Sequence, residues 1–322
     1  MSVGAAVVLV LQAGIAQGGT LTGGTAYPAW HQTTAAALRF GERVAETTGG
    51  KVKVVLQHSG ALGLERELAQ RVSLGTLDLT AVTAAELAPL VPEMALFQLP
   101  YLFRNYEHLF VAIDQDLSLR KYCESALDRK GFKLLALVGV SYRAISGHSP
   151  INALADLRGK KIRVQDDRGT VGVFELLGAV PVVLPLPEVA TSLRTGTVEF
   201  AEGSLIVFAQ GKLYETIKHV ADVRHTHQVA ALVMSKTSWS KQDAVTQKAI
   251  IDAGRDAAQD NRKPLFVEDN ALKAQLGGKG VTITKPDPAP FRVAAKRLYD
   301  EFYASPAGKD ARKLVELILG LR

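Results

Sequence analysis

The residue best suited to bind a charged ligand is Arg163, which lies in the segment KIRV at residues 161–164. A guanidinium group donates two parallel hydrogen bonds to a carboxylate and keeps its charge in a dry cleft. The segment predicts a short strand with the arginine near its carboxyl end. Arg163 is therefore a candidate carboxylate-binding residue, and the alternative is a surface arginine on an edge strand.

The elements around this arginine follow a strand–helix–strand–helix–strand pattern between Ala155 and Gly203. A helix is predicted over residues 171–177, and a second strand over residues 180–184. Short connections of this kind are typical of a parallel sheet with helices on its faces. Ligands of such sheets bind at the carboxyl ends of the strands, so the segment predicts a ligand site near Arg163.

The first part of the chain shows the same pattern. Strands are predicted over 21–25, 52–56 and 79–82, and the intervening helices have apolar residues at a four-residue spacing. The sequence therefore predicts an α/β fold of two similar domains that face each other across a ligand cleft. A strand predicted over residues 132–138 leads from one domain to the other, and a long helix that starts near Ser240 crosses both.

The domain boundaries follow from these crossings. Residues 20–140 and 229–268 are assigned to the first domain, and residues 141–228 and 269–322 to the second. Residues 1–16 are an uncharged apolar stretch that ends in small residues, which predicts a signal segment cleaved after Ala16. The basic start of a full signal is missing, and a buried strand or helix is the alternative.

Several side chains just after predicted strands could line the cleft. Tyr27 and Trp30 follow the first strand, and Thr83 follows the third, where its hydroxyl could donate to a ligand. Asp166 closely follows Arg163. It could accept a hydrogen bond from a ligand hydroxyl or amine, or bind a metal ion, and the alternative is a solvated turn.

The chain carries none of the motifs that support catalysis or a cofactor. It has no G-x-S-x-G, no H-E-x-x-H, no phosphate-binding loop and no G-x-G-x-x-G after a strand. His225 and His227 lack a third ligand at a suitable spacing, and Cys123 is the single cysteine, so we expect no metal site. We expect no cofactor and no enzymatic activity, although an α/β enzyme acting on a small acid and a ligand sensor remain alternatives.

The charge balance is mildly basic, with a formal net charge of +6 over 322 residues. Such a balance could suit nucleic acid or an anionic ligand. The basic residues are scattered among acidic ones, and no nucleic-acid-binding motif accompanies them. We therefore expect no nucleic-acid partner. We also expect the protein to be a monomer.

Short segments spread along nearly the whole chain after residue 20 resemble the solute-binding proteins of TRAP (tripartite ATP-independent periplasmic) transporters. Each segment alone is weak, but their order and spacing match the family together. The matching segments are SGALG at 59–63, GTLD at 75–78, FQLPYLF at 97–103, KIRV at 161–164, LGAVP at 177–181, TGTVE at 195–199, and MSK at 234–236 with Trp239.

The resemblance implies a periplasmic protein that captures a small organic acid and delivers it to membrane permease subunits driven by an ion gradient. It implies that Arg163 holds the ligand carboxylate and that Arg143 supports the ligand or the first arginine. Three positions depart from the family. Gly203 replaces a usual asparagine that reaches the ligand, Ala190 replaces a tyrosine, and Leu186 replaces an aromatic residue. These changes favour a monocarboxylate with an apolar or aromatic body.

Overall fold

Two β-α-β runs and one long shared strand organise the chain. The computed structural model describes residues 19–115 and 117–321, so the predicted signal segment 1–16 lies outside the described residues. The strands are β1 (Thr20–Gly24), β2 (Lys53–Gln57), β3 (Leu79–Thr83), β4 (Phe132–Gly147), β5 (Lys161–Val164), β6 (Val180–Val183), β7 (Phe200–Ser204), β8 (His219–Ala221), β9 (His227–Ser235) and β10 (Thr282–Thr284).

Helices follow most strands, and the predicted α/β class is confirmed. The helices are α1 (Gln32–Thr47), α2 (Glu65–Ser73), α3 (Ala84–Leu87), α4 (Tyr106–Gln115), α5 (Leu117–Asp128), α6 (Arg168–Leu176), α7 (Val189–Arg194), α8 (Leu205–Gln210), α9 (Lys236–Trp239), α10 (Ala244–Asp260), α11 (Arg262–Gly277), α12 (Pro288–Ala295), α13 (Arg297–Ala304) and α14 (Arg312–Gly320). No helix within the described ranges combines the length and apolarity needed to cross a bilayer.

Strand β4 divides the sheet into two half-sheets. Its residues 132–142 pair with antiparallel β9 and complete the first half-sheet, in the order β2-β1-β3-β9-β4. Its residues 143–147 pair with antiparallel β7 and belong to the second half-sheet, in the order β4-β7-β5-β6. Strands β1, β2 and β3 are mutually parallel, and so are β5, β6 and β7. β8 and β10 extend the second half-sheet beside β4.

Each half-sheet is covered on both faces. Along β9, Val229, Ala231 and Val233 enter one hydrophobic cluster, while the alternate residues 230, 232 and 234 enter another. Alternate side chains of a strand point to opposite faces, so the half-sheet is the middle of three layers. The second half-sheet shows the same division at Phe200 and Ala201.

The long helix begins later than predicted. Asp243 is the N-cap of α10, and its carboxylate accepts the Thr246 N–H at 2.7 Å, whereas Ser240 lies in the turn after α9. An aspartate before a helix satisfies backbone N–H groups that have no partner in the first turn, which fixes the start at Ala244. The helix also divides at Asn261, whose amide donates to the Gly139 carbonyl at 3.2 Å.

The consecutive helices α10 and α11 reach both half-sheets. Ile250 and Ala253 of α10 pack in a cluster of the first half-sheet, and Leu276 of α11 packs in a cluster of the second. The last helix contributes Val315 and Ile318 to a core of the first half-sheet. This packing favours the first domain for α14, whereas residues 269–322 are predicted to belong to the second. The domain boundaries remain a prediction.

Candidate functional site

A cavity of about 720 Å³ lies between residues of the two half-sheets. From the first side it receives residues 26–28 and 30 after β1, 59 and 64–67 after β2, and Glu86 after β3. From the second side it receives Arg163 and residues 165–166 of β5 and its loop, 183–187 and 189–190 around the end of β6, and Val207 after β7. The cavity therefore lies at the carboxyl ends of both sets of parallel strands, where such sheets bind ligands.

Arg163 enters the cavity from the middle of the second half-sheet. β5 lies between β6 and β7, and Arg163 is 4% exposed. Its Nε donates to the Leu184 carbonyl at 2.8 Å and its Nη1 to the Glu202 carbonyl at 3.2 Å. Both acceptors are neutral, and among the described residues no carboxylate forms an ion pair with Arg163. Burial lowers the pKa of Arg163 to about 10, so the group remains a cation at neutral pH.

Arg143 lies behind the cavity in a buried ion pair. Its Nε and Nη2 donate to the two carboxylate oxygens of Glu202, the second at 2.6 Å, and its Nη1 donates to Gln228 Oε1 at 3.2 Å. His225 Nε2 lies 3.5 Å from the same carboxylate. Burial opposes the charge of Glu202, but Arg143 outweighs that effect and holds the pKa of the carboxyl well below its usual range. The charge of Arg143 is thus neutralised within the protein.

Glu65, the first residue of α2, lines the first side of the cavity. Its carboxylate accepts the Tyr27 hydroxyl at 2.6 Å and the Thr83 N–H at 2.7 Å. Burial raises the pKa of Glu65 to about 7, against the hydrogen bonds, which favour the charged form. The Thr83 hydroxyl, predicted to donate to a ligand, donates instead to Glu65 at 3.3 Å and is fully buried.

The next residue, Arg66, spans the cavity. It donates to Glu86 on the first side at 3.1 Å, and on the second side to the Asp166 carbonyl at 2.9 Å. Its Nη1 also lies 3.1 Å from the Asp166 carboxylate. Burial raises the pKa of Glu86, although Arg66 opposes the shift.

The remaining wall is mostly apolar. Trp30 is 37% exposed and offers an open ring surface on the first side. The second side presents the ends of β6, α7 and α8. The apolar lining residues there are Val183, Leu184, Pro185, Leu186, Pro187, Val189, Ala190, Val207 and Leu213.

Five of the eight residues predicted to bind the ligand line this cavity, namely Tyr27, Trp30, Arg163, Asp166 and Leu186. Thr83 and Arg143 lie behind it and bind Glu65 and Glu202. Gly203 pairs with Ala144 in the second half-sheet, and a Cβ at Gly203 would meet open space.

Sequence reasoning missed Glu65, Arg66, Glu86 and Gln165 as lining residues. Glu65 and Arg66 lie two and three residues after the SGALG turn at the end of β2. The rule that pointed to Trp30 after the first strand would have found them. His225 and His227 are buried, and the described residues contain no cluster of three metal-binding side chains.

Comparison with known proteins identifies this architecture. A family model described as bacterial extracellular solute-binding protein, family 7, matches residues 23–306. A solute-binding protein of Verminephrobacter eiseniae is 32% identical over 249 residues, which cover 76% of this chain and 72% of that protein.

Solved structures agree with the family model. A TRAP periplasmic solute-binding protein of Bradyrhizobium sp. BTAi1, in complex with D-galacturonate, matches with a TM-score of 0.86 and 28% identity, covering 94% of this chain and 100% of that chain. One from Roseobacter denitrificans, with bound β-D-glucuronate, matches with a TM-score of 0.88 and 25% identity over the same shares.

A cavity at the strand ends of two α/β half-sheets, together with these matches, defines a periplasmic solute-binding protein. The chain belongs to the family of bacterial extracellular solute-binding proteins that serve TRAP transporters. Members bind small organic acids and work with a membrane permease. The predicted family, periplasmic location and class of function are confirmed.

Proposed function

We propose that the cavity binds a small organic monocarboxylate whose carboxylate pairs with Arg163. The observation that carries this proposal is a buried guanidinium that lines a cavity and whose hydrogen-bond partners among the described residues are carbonyls. A buried charge is costly unless an opposite charge compensates it, so the site favours an anion. The sugar acids bound by the relatives are carboxylates, which supports the same assignment.

The other charges in the cavity favour a single carboxylate on the ligand. Four acidic side chains line it, and Arg66 already pairs with two of them, Glu86 and Asp166. A second ligand carboxylate would therefore approach acidic groups without a free cation. Like charges in a desolvated site repel one another strongly, so we expect discrimination against dicarboxylates.

In this proposal, the part of the ligand beyond its carboxylate packs against the apolar wall of the cavity. Leu186 and Ala190 of the second side and Trp30 of the first present apolar surface. Tyr27 and Asp166 remain proposed contacts for ligand hydroxyls. Arg143 and Thr83 act indirectly, because they hold the Glu202 and Glu65 carboxylates.

The protein hands its ligand unchanged to the permease in this account. The domains follow the two half-sheets, with β4 and the α10–α11 pair running between them, and the working form is a monomer. No turnover of the bound acid is expected, because the cavity serves binding alone.

A thermal-shift screen tests the proposed ligand class. The panel contains D-galacturonate, D-glucuronate and 3-phenylpropionate as monocarboxylates, and succinate and glutarate as dicarboxylates. We expect a monocarboxylate to raise Tm and the dicarboxylates to have little effect, because a ligand that binds only the folded state stabilises it more the further its concentration exceeds its Kd. A dicarboxylate as the strongest stabiliser, or chemical conversion of a bound acid, would contradict the proposal.

A further inference from the structure

The hydrogen bonds of Arg66 join the two sides of the cavity. The residue lies in the first turn of α2 on the first side, and it bonds to Glu86 of α3 on the same side. It also bonds to the carbonyl and the carboxylate of Asp166, a hundred residues further along the chain in the loop after β5. The Arg66 side chain therefore connects a helix of the first side to a loop of the second side at the border of the cavity.

The partners of Arg66 differ in exposure in a way that suits a reversible contact. The Glu86 side chain is 16% exposed, whereas the Asp166 side chain is 67% exposed. The more buried ion pair to Glu86 therefore holds the guanidinium on the first side. Breaking the Asp166 contact returns one exposed carboxylate and one carbonyl to water, which costs little. The Glu86 contact can persist when the two sides separate.

Other cavity charges do not offer this link. Within the described part of the chain, Arg163 hydrogen-bonds only to carbonyls of its own half-sheet, and Glu65 only to Tyr27 and Thr83 of the first side. Glu67 accepts the Leu64 N–H at 3.0 Å at the start of its own helix. If Arg66 were absent, the carboxylates of Glu86 and Asp166 would face each other across the opening of the cavity.

We propose that Arg66 is a positioning residue that fastens the second side over a bound ligand through Asp166. It acts on the ligand by slowing reopening of the cavity rather than by touching the ligand. Loss of the side chain removes one hydrogen bond and one ion pair to Asp166 and leaves two carboxylates uncompensated. This inference rests on the proposed function, since it assigns a residue that retains the same ligand.

Dissociation kinetics and a distance measurement test this assignment. The probe is the tightest-binding acid among D-galacturonate, D-glucuronate and 3-phenylpropionate. Spin labels at Glu42→Cys on α1 and Glu175→Cys on α6 report the separation of the two sides, and the buried thiol of Cys123 stays unlabelled. The matched control is Arg43→Ala, whose ion pairs to Glu46 and Asp260 stay on the first side.

We expect Arg66→Ala to raise koff about three- to tenfold with kon little changed, as suits a partly exposed ion pair with one added hydrogen bond. At saturation its label distances extend beyond those of the parent, and the control matches the parent. Asp166→Ala should raise koff similarly but add little in the Arg66→Ala background, since both changes break one contact.

Three results would overturn the assignment. They are an unchanged koff with unchanged distances in Arg66→Ala, fully additive effects of the two substitutions, and an equal effect of the control. Failure of the proposed function looks different, because the parent would then bind a dicarboxylate best, convert the bound acid, or bind no acid of the panel. In that case the label distances can still be measured without acid. If they are the same in the parent and in Arg66→Ala, they contradict the assignment of Arg66.

Discussion

The two buried arginines near the cavity have different roles because they have different hydrogen-bond acceptors. Arg143 and Arg163 are both almost fully buried, but Arg143 pairs with Glu202 while Arg163 has only carbonyl acceptors. A paired arginine stiffens the protein behind the site, whereas an arginine without a carboxylate partner calls for an anion from outside. Sequence reasoning pointed to both arginines. It could not assign these partners, because Glu202 lies 59 residues from Arg143.

Glu65 should make stability depend on pH in a defined direction. Its pKa is about 7 in the folded protein and 4.5 ordinarily, so between these values the folded form holds a proton that the unfolded chain releases. Stability therefore rises as pH falls from 7 towards 4.5, and the penalty of the charged form is fully present above 7.

Glu65→Gln removes this titration. We expect the stability of the variant relative to the parent to increase by about 2–3 kcal/mol between pH 5 and pH 8, measured by urea unfolding at each pH. Other groups such as Asp167 titrate in both proteins and cancel in the difference. Parallel pH profiles for the two proteins would show that Glu65 is charged at all these pH values.

Gly203 is a place where a side chain can be added without a collision. A Cβ there meets no heavy atom within 4 Å. We expect Gly203→Asn to keep the Tm of the parent and to favour D-galacturonate over 3-phenylpropionate about fivefold, because an amide adds one hydrogen bond. Gly203→Ala is the control for the added carbon. If the ratio of the two affinities is the same in the parent, Gly203→Asn and Gly203→Ala, position 203 has no role in ligand selection.

At the scale of elements, local patterns predicted most strands and helices of the two β-α-β runs. The four-residue spacing of apolar residues between the first two strands, for example, predicts a helix there, and α1 spans Gln32–Thr47. The start of α10 was predicted wrongly, because Ser240 and Asp243 both suit a capping position. Only the backbone path after α9 selects Asp243.

Capping gives this boundary a direct test. Asp243→Ala should lower the free energy of unfolding by about 1 kcal/mol, because the Thr246 N–H loses its acceptor. Ser240→Ala should change it by less, since the Ser240 hydroxyl bonds only to the Thr237 carbonyl at 3.0 Å. Urea unfolding of both variants provides the comparison. A larger loss for Ser240→Ala would move the helix start back to the predicted position.

At the scale of the whole molecule, the two-part α/β plan and the strand-end location of the site followed from the sequence. The pairing of distant segments did not. Strand β4 was predicted only to Val138, although it continues to Gly147 and carries Arg143 into the second half-sheet. The Arg66–Asp166 contact likewise joins a helix and a loop that no local pattern relates. Long-range contacts of this kind depend on the packed fold.

The central claim is that Arg163 holds the carboxylate of the ligand. Calorimetric titration of the parent and of Arg163→Ala with the best acid of the panel tests it most directly. Removing one partner of a desolvated charge pair costs about 2–5 kcal/mol, or about thirtyfold or more in Kd. The exposed Arg194→Ala serves as the control and should bind like the parent. Arg163→Ala that folds normally and binds the acid as tightly as the parent would contradict the account.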